Sequence, residues 1–237
     1  MAIKEVVYND KVFPISYLIS GSSDKSILFL HGWGSNKEIM HSSFSSYLKD
    51  YKHIYIDMPG FGASENSNIL TTKDYANIIS LFLKEINLTP SIIAGHSFGG
   101  KVATLLKPKK LVLLSSAGIL VPKPLKIRVK IAIFKLLKPF GITKFRKLFV
   151  SADANEMNSG MYETFKNVVD EYFEENFKNY KGEALLFWGK EDTATPLWTA
   201  EKINTLIEHS KLFPLDGDHF FFVKNSKFIA QTIEQNI

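Results

Sequence analysis

The sequence predicts an α/β fold: a mostly parallel central sheet with helices on both faces. Three observations carry this. Short runs at 26–30, 92–94, 111–114 and 184–188 are almost continuously apolar, as strands buried on both faces of a sheet are. Helical patterns separate most of these runs, which implies right-handed crossovers between parallel strands. The residues equipped for chemistry, His31-Gly32-Trp33, Ser97, Asp192 and His219, each fall just after a predicted strand. Sites in such sheets lie beyond the carboxyl ends of the strands.

The elements follow in order. Residues 4–8 and 12–19 read as two antiparallel strands around an Asn9-Asp10 turn. Strand 26–30 runs into His31-Gly32-Trp33-Gly34-Ser35, and Ser35-x-x-Glu38 fits a capping box opening a helix to about Tyr51. Strand 53–56 leads into a turn rich in Pro and Gly at 57–64. A helix at 73–86 is capped by Thr71 or Thr72. Strand 92–94 ends in Gly95-His96-Ser97-Phe98-Gly99-Gly100, and a helix reads over 101–106. Strands at 111–114, 184–188 and 211–213 and helices at 199–207 and 226–237 complete the pattern.

Between 117 and 181 the alternation stops. Residues 159–180 read as helical, with Met161, Phe165, Val168, Val169, Tyr172 and Phe173 apolar. The organisation is therefore a core of 1–117 and 182–237, with a helical cap at 118–181 inserted after the sixth strand.

Composition narrows the function classes. At 237 residues and 45% hydrophobic, the chain makes one large domain, or at most two small ones, with a sizeable core. It has no cysteine, so disulfides and thiolate metal sites are excluded. The N-terminus lacks the basic flank and apolar core of a signal peptide, and a cytoplasmic setting is expected. No stretch approaches the roughly 20 apolar residues of a membrane span.

The serine turn is the centre of the chemistry. A sharp strand-to-helix turn lifts the Ser97 hydroxyl off the sheet edge, and its neighbours Gly95, Gly99 and Gly100 meet the need for small residues there. A serine hydroxyl needs an adjacent base and a group that orients it. His219, in a Gly-containing loop after the last strand, is the candidate base. Asp192, in Gly189-Lys-Glu-Asp192 with Pro196 beyond, is preferred as the orienting acid, with Glu191 as the fallback. A developing oxyanion needs fixed donors. The N–H of Phe98, after the nucleophile, and of Trp33, in the loop after strand 26–30, are the candidates. Gly32 and Gly34 leave room for a substrate carbonyl to approach that loop.

These motifs resemble the α/β-hydrolase superfamily. His31-Gly-Trp-Gly34, Asp57-Met-Pro-Gly-Phe-Gly-Ala-Ser64, Gly95-His-Ser-Phe-Gly-Gly100, Gly189-Lys-Glu-Asp192 and Gly217-Asp-His219 match its pattern in order. The likeness implies a sheet of about eight strands and a serine hydrolase that cleaves a carboxylic ester through an acyl-enzyme, without cofactor or metal. Serine at the nucleophile position argues against the haloalkane dehalogenases and epoxide hydrolases of this fold.

Two subfamilies are similar. Carbon–carbon hydrolases acting on 2-hydroxy-6-oxo-dienoates share the Ser-Asp-His set, but carry Trp after the base, where this chain has Phe220, and a cap arginine. Arg128 and Arg146 are the only arginines here and neither matches that position. The pimeloyl-carrier-protein methyl ester esterase is similar in His-Gly-Trp-Gly. A non-catalytic binding module on the same fold is the alternative from another class.

The inserted segment gives a clue to partners. Residues 121–150 hold nine basic residues, among them Lys123, Arg128 and Arg146, and no Asp or Glu. With a net charge of +5, the other 207 residues sum to −4 (5 − 9 over 237 − 30 residues). An ordinary lid with lysines facing water accounts for this. The functional reading is attraction of an acidic carrier protein or an anionic surface. Nucleic acid is not expected, since no recognition motif accompanies the charge.

Overall fold

The computed structural model describes residues 1–122 and 159–236. Among them eight strands form one sheet: β1 (Ala2–Tyr8), β2 (Lys11–Ser20), β3 (Ser26–Leu30), β4 (Lys52–Ile56), β5 (Ile92–His96), β6 (Lys110–Leu114), β7 (Glu183–Gly189) and β8 (Ser210–Leu215). Their order is β1-β2-β4-β3-β5-β6-β7-β8. β1 and β2 pair antiparallel, β2 pairs antiparallel with β4, and all later pairings are parallel. The sheet is thus mostly parallel, with a hairpin at one edge.

Strand alternation sorts the core into two layers. Leu28, Leu30, Ile54, Ile56, Ile93, Leu111, Leu113, Leu186 and Trp188 share one apolar cluster. The helices α2 (Thr72–Glu85), α3 (Phe98–Leu105) and α6 (Leu197–Leu206) cover it. In α2 the buried Tyr75, Ile78, Ile79 and Phe82 recur at helical spacing, which is why this stretch is a helix with one face inward. Ile27, Phe29, Tyr55, Ile92, Ala94, Val112, Leu114 and Phe187 form the other cluster, covered by α1 (Lys37–Phe44) and α7 (Phe222–Gln235). Helices therefore lie on both faces.

Two expectations are corrected at α1. The cap is Asn36, whose side chain accepts from the Glu38 N–H at 3.0 Å, rather than Ser35. The helix ends at Phe44, short of Tyr51, and Leu48 turns with φ 51° in the left-handed region. At α2 the cap is Thr71, reciprocated by Asp74 in a capping box.

Between β6 and β7 the described residues include α4 (Ser159–Val169) and α5 (Glu174–Lys178) rather than one helix over 159–180. The break lets Glu171 reach Thr72 on α2 and Lys101 on α3, and it buries Phe173. Of the apolar residues in this stretch, Val169 and Tyr172 are exposed. The basic stretch 121–150 lies outside the described residues, apart from its first two positions. No helix among the described residues is long and apolar enough to cross a membrane.

Candidate active site

Trp33 follows β3, Ser97 follows β5, Asp192 follows β7 and His219 follows β8. These four strands run parallel, so their carboxyl ends share one edge. The chemistry is gathered there.

Ser97 sits between β5 and α3 with φ 50° and ψ −116°, in the left-handed region that a residue with a Cβ enters at about 1–3 kcal/mol. Its N–H donates to the Leu114 carbonyl at 3.1 Å, and its carbonyl accepts from Gly100 and Ala117 at 3.0 Å each. These bonds hold the strained turn. A Cβ on Gly95 would lie 2.3 Å from the Gly99 carbonyl oxygen, and one on Gly99 would lie 2.5 Å from that of His31. Only glycine lets α3 lie this close behind the serine.

Asp192 and His219 pair directly. The His219 Nδ1–H donates to Asp192 Oδ2 at 2.7 Å. The Ala194 and Thr195 N–H groups donate to Oδ1 at 2.8 and 2.9 Å, and the Thr195 hydroxyl donates to Oδ2 at 2.8 Å. Burial alone would raise this carboxyl. Hydrogen bonds from His219 and Thr195 and the charge of His219 outweigh it and bring the pKa down to about 2. A carboxylate only accepts, so Nδ1 of His219 carries a proton, and Nε2 is the nitrogen left bare in the neutral ring. The Ser97 hydroxyl makes no hydrogen bond among the described residues, and Nε2 of His219 is likewise unengaged there. Glu191, the fallback acid, is used elsewhere: its Oε2 accepts from the Gly217 N–H and steadies the loop that carries His219.

The loop after β3 is pinned by its own histidine. His31 Nδ1–H donates to the Gly32 carbonyl at 2.7 Å, and Nε2 accepts from the Met58 N–H at 3.0 Å. The Ser35 N–H reaches the same carbonyl at 3.2 Å. Burial lowers the His31 pKa to about 4, so the ring is neutral at pH 7. Holding the Gly32 oxygen aims the Trp33 N–H of the same peptide plane the opposite way. That N–H meets no acceptor among the described residues. The Phe98 N–H is the first of α3 and has no acceptor inside its helix. The Trp33 ring packs edge-on against Phe61 and Phe98 and tilted against Phe165, so it is also a core aromatic.

Gly34 has φ 71°, and a Cβ there would meet nothing. At Gly32 a Cβ would press on His96 Nδ1 at 2.8 Å and Ser97 Cβ at 3.2 Å, so on that side the loop packs against the serine turn.

A cleft of ≈ 330 Å³ opens over Ser97, walled by Trp33, Phe98, Ile119, Phe165 and Val168. Three larger clefts, ≈ 730, ≈ 800 and ≈ 520 Å³, include Gly182, Asn87 and Gly60 respectively and contain none of the candidate site residues.

Sequence reasoning missed Thr195, His31's role, His96 and Lys101. Lys101 on α3 is 2% exposed; its Nζ donates to the Val168 carbonyl at 2.7 Å and pairs with Glu171 at 2.5 Å. Burial pulls its pKa down, and Glu171 offsets part of that. This pair ties the end of α4 to the core. A lysine directly after the Gly-Gly of the serine turn was a visible signal; its partner was not.

Residues 27–232 match the model of the alpha/beta hydrolase family. The chain is 27% identical over 225 residues to the uncharacterized hydrolase YugF of Bacillus subtilis, covering 81% of each. It is 30% identical over 84 residues to a pimeloyl-[acyl-carrier protein] methyl ester esterase of Pectobacterium carotovorum, spanning 35% of this chain and 31% of that one. An esterase from Exiguobacterium antarcticum superposes with a TM-score of 0.76 at 20% identity, over 98% of each chain. With the family pattern matched over residues 27–232 and an eight-stranded sheet among the described residues, the chain belongs to the alpha/beta hydrolase family.

Proposed function

We propose that the protein is a serine hydrolase that cleaves a carboxylic ester through an acyl-enzyme intermediate. The observation that carries this is the His219–Asp192 pair, 2.7 Å apart, at the same sheet edge as a strained serine heading a helix. Asp192 keeps His219 in the tautomer with a bare Nε2. Ser97 Oγ attacks the ester carbonyl as Nε2 takes its proton. The Trp33 and Phe98 N–H groups receive the oxyanion; Gly34 leaves the loop backbone open to the carbonyl, and Gly32 lets that loop pack close against the serine turn. Collapse expels the alcohol, which takes the proton from His219. Water, giving its proton to the same Nε2, attacks the acyl-enzyme; the acid leaves and Ser97 recovers its proton.

Residues 118–181 act in this reading as a cap on the core of 1–117 and 182–237, with α4 as an apolar wall of the acyl site. Phe165 and Val168 at the cleft support this. The methyl ester esterase relative is named for a carrier-bound ester. By that likeness an acidic carrier, or another anionic surface, is the partner proposed for the basic stretch.

The test is hydrolysis of p-nitrophenyl esters from acetate to laurate by wild type and Ser97→Ala, alongside fluorophosphonate labelling. Activity and labelling that both vanish in the variant are expected. Full activity in Ser97→Ala would refute the role of the serine. Labelling without ester turnover would move the reading toward a narrow substrate such as a dienoate, and neither would favour a non-catalytic binding module.

A further inference from the structure

The side chain before the nucleophile is not used in the mechanism above. Alternation along β5 places His96 on the same face as Ile92 and Ala94, which is the face covered by α7. α7 begins at Phe222, three residues after His219. The two turns of the site therefore meet at this residue. His96 is 1% exposed. Its Nε2 lies 2.9 Å from the His219 carbonyl oxygen, and its ring stands 4.7 Å from the His219 ring, 5.2 Å from Phe220 and 4.8 Å from Phe222.

A carbonyl only accepts, so Nε2 carries the proton and Nδ1 is bare. Nδ1 is buried and has no partner among the described residues. A phenylalanine in the same place would fill the space and leave no orphaned acceptor. The histidine thus retains an unsatisfied atom, and what it supplies in exchange is one donor, aimed at the main chain of the base.

Resting on the proposed Ser97–His219–Asp192 reading, we propose that His96 is a positioning residue. Its Nε2–H fixes the His219 carbonyl and thereby sets the stance of the His219 ring toward Ser97. The side chain must donate without becoming charged, because a cation here would oppose the imidazolium formed during turnover. Burial secures this by driving its pKa to about 3; His219, Asp192 and His31 are the titratable groups that act on it.

The test compares His96→Phe, which keeps the ring and removes the donor, with His96→Gln, whose amide nitrogen can take the place of Nε2. Each is measured for fluorophosphonate labelling rate, for kcat and KM on p-nitrophenyl butyrate, and for Tm. His96→Phe is expected to lower labelling rate and kcat by about tenfold to a hundredfold, the scale of a misplaced reacting group, with KM within about twofold. Its Tm is expected within about 4 °C of wild type, because packing survives. His96→Gln is expected to restore most of the loss.

Labelling of His96→Phe within twofold of wild type would overturn the proposal. So would an equal fall in both variants, which is what a purely structural role gives. If His96→Phe does not fold, His96→Met serves as the variant without a donor. A wild type that is not labelled at all would instead sink the serine reading itself, and this inference with it.

Discussion

Lowering the pH from 7 to 5 should destabilise this protein through two buried histidines. His31 and His96 are both fully buried. Unfolded, each imidazole binds a proton near pH 6.5. Folded, burial delays this to about pH 4 for His31 and about pH 3 for His96. Above pH 6.5 neither contributes to pH dependence. As the pH falls below 6.5 the unfolded chain gains protons that the folded chain refuses, so stability is lost until the folded values are reached. At pH 5 each histidine costs about 2 kcal/mol, roughly 4 kcal/mol together. For a chain of this size that is a fall in Tm of about 8–16 °C. His53, also lowered by burial, shifts stability the same way. Asp57, Asp74 and Asp192 are all held below their usual value. Their stabilisation is present above about pH 4 and is lost only below it, so they do not enter this window. The assay is thermal unfolding followed by circular dichroism at pH 7, 6 and 5, for wild type, His31→Gln and His96→Gln. Each variant should recover about half of the loss. A wild-type Tm at pH 5 within about 3 °C of that at pH 7 would refute the argument, as would variants with an undiminished acid slope.

Three further outcomes follow from the contacts. Asp192→Asn should reduce kcat by about a thousandfold or more, because the amide no longer enforces the His219 tautomer, and should also lower stability, because the buried carboxylate accepts from His219, Ala194 and Thr195; pre-steady-state acylation rates measure the first and urea titrations the second. Glu171→Ala should cost more stability than Lys101→Met in urea titrations. Removing the glutamate strands a buried ammonium, at about 3 kcal/mol, whereas the half-exposed glutamate left by Lys101→Met can turn to water. Equal costs would show that Lys101 is neutral in the fold. Gly99→Ala should destabilise by about 1–3 kcal/mol and lower activity, since its Cβ would meet the backbone oxygens of His31 and Leu30 at 2.5 and 2.6 Å and push α3, with the Phe98 N–H, off the sheet. Unchanged urea midpoints would count against that packing.

Much of the fold was legible because its strongest signals are local. β3 and β5 are buried at every position, and short apolar runs such as Ile27–Leu30 and Ile92–Ala94 have few other uses. The parallel arrangement followed from the helices between them. Where the sequence was misleading, two local options competed. Ser35 and Asn36 can both cap a helix, and the backbone geometry after Gly34, with its positive φ, selects Asn36. The stretch from Ser159 to Tyr180 has helical spacing throughout. The bonds of Glu171 to Lys101 and Thr72 and the burial of Phe173 coincide with the break after Val169.

The candidate site divides in the same way. The sequence alone determined which residues reach one edge, because a parallel sheet delivers every strand's carboxyl end to the same side, and Trp33, Ser97, Asp192 and His219 each follow a strand. It also determined the glycines of the serine turn, since a strained turn leaves no space for a Cβ. Only the tertiary structure decided which side chains meet. Asp192 bonds His219 while its neighbour Glu191 holds Gly217, and His96 reaches the His219 carbonyl across 123 residues of chain. Periodicity assigns a residue to a face but not to a partner. The partner depends on sheet register, helix placement and loop closure, which are set by the whole core at once.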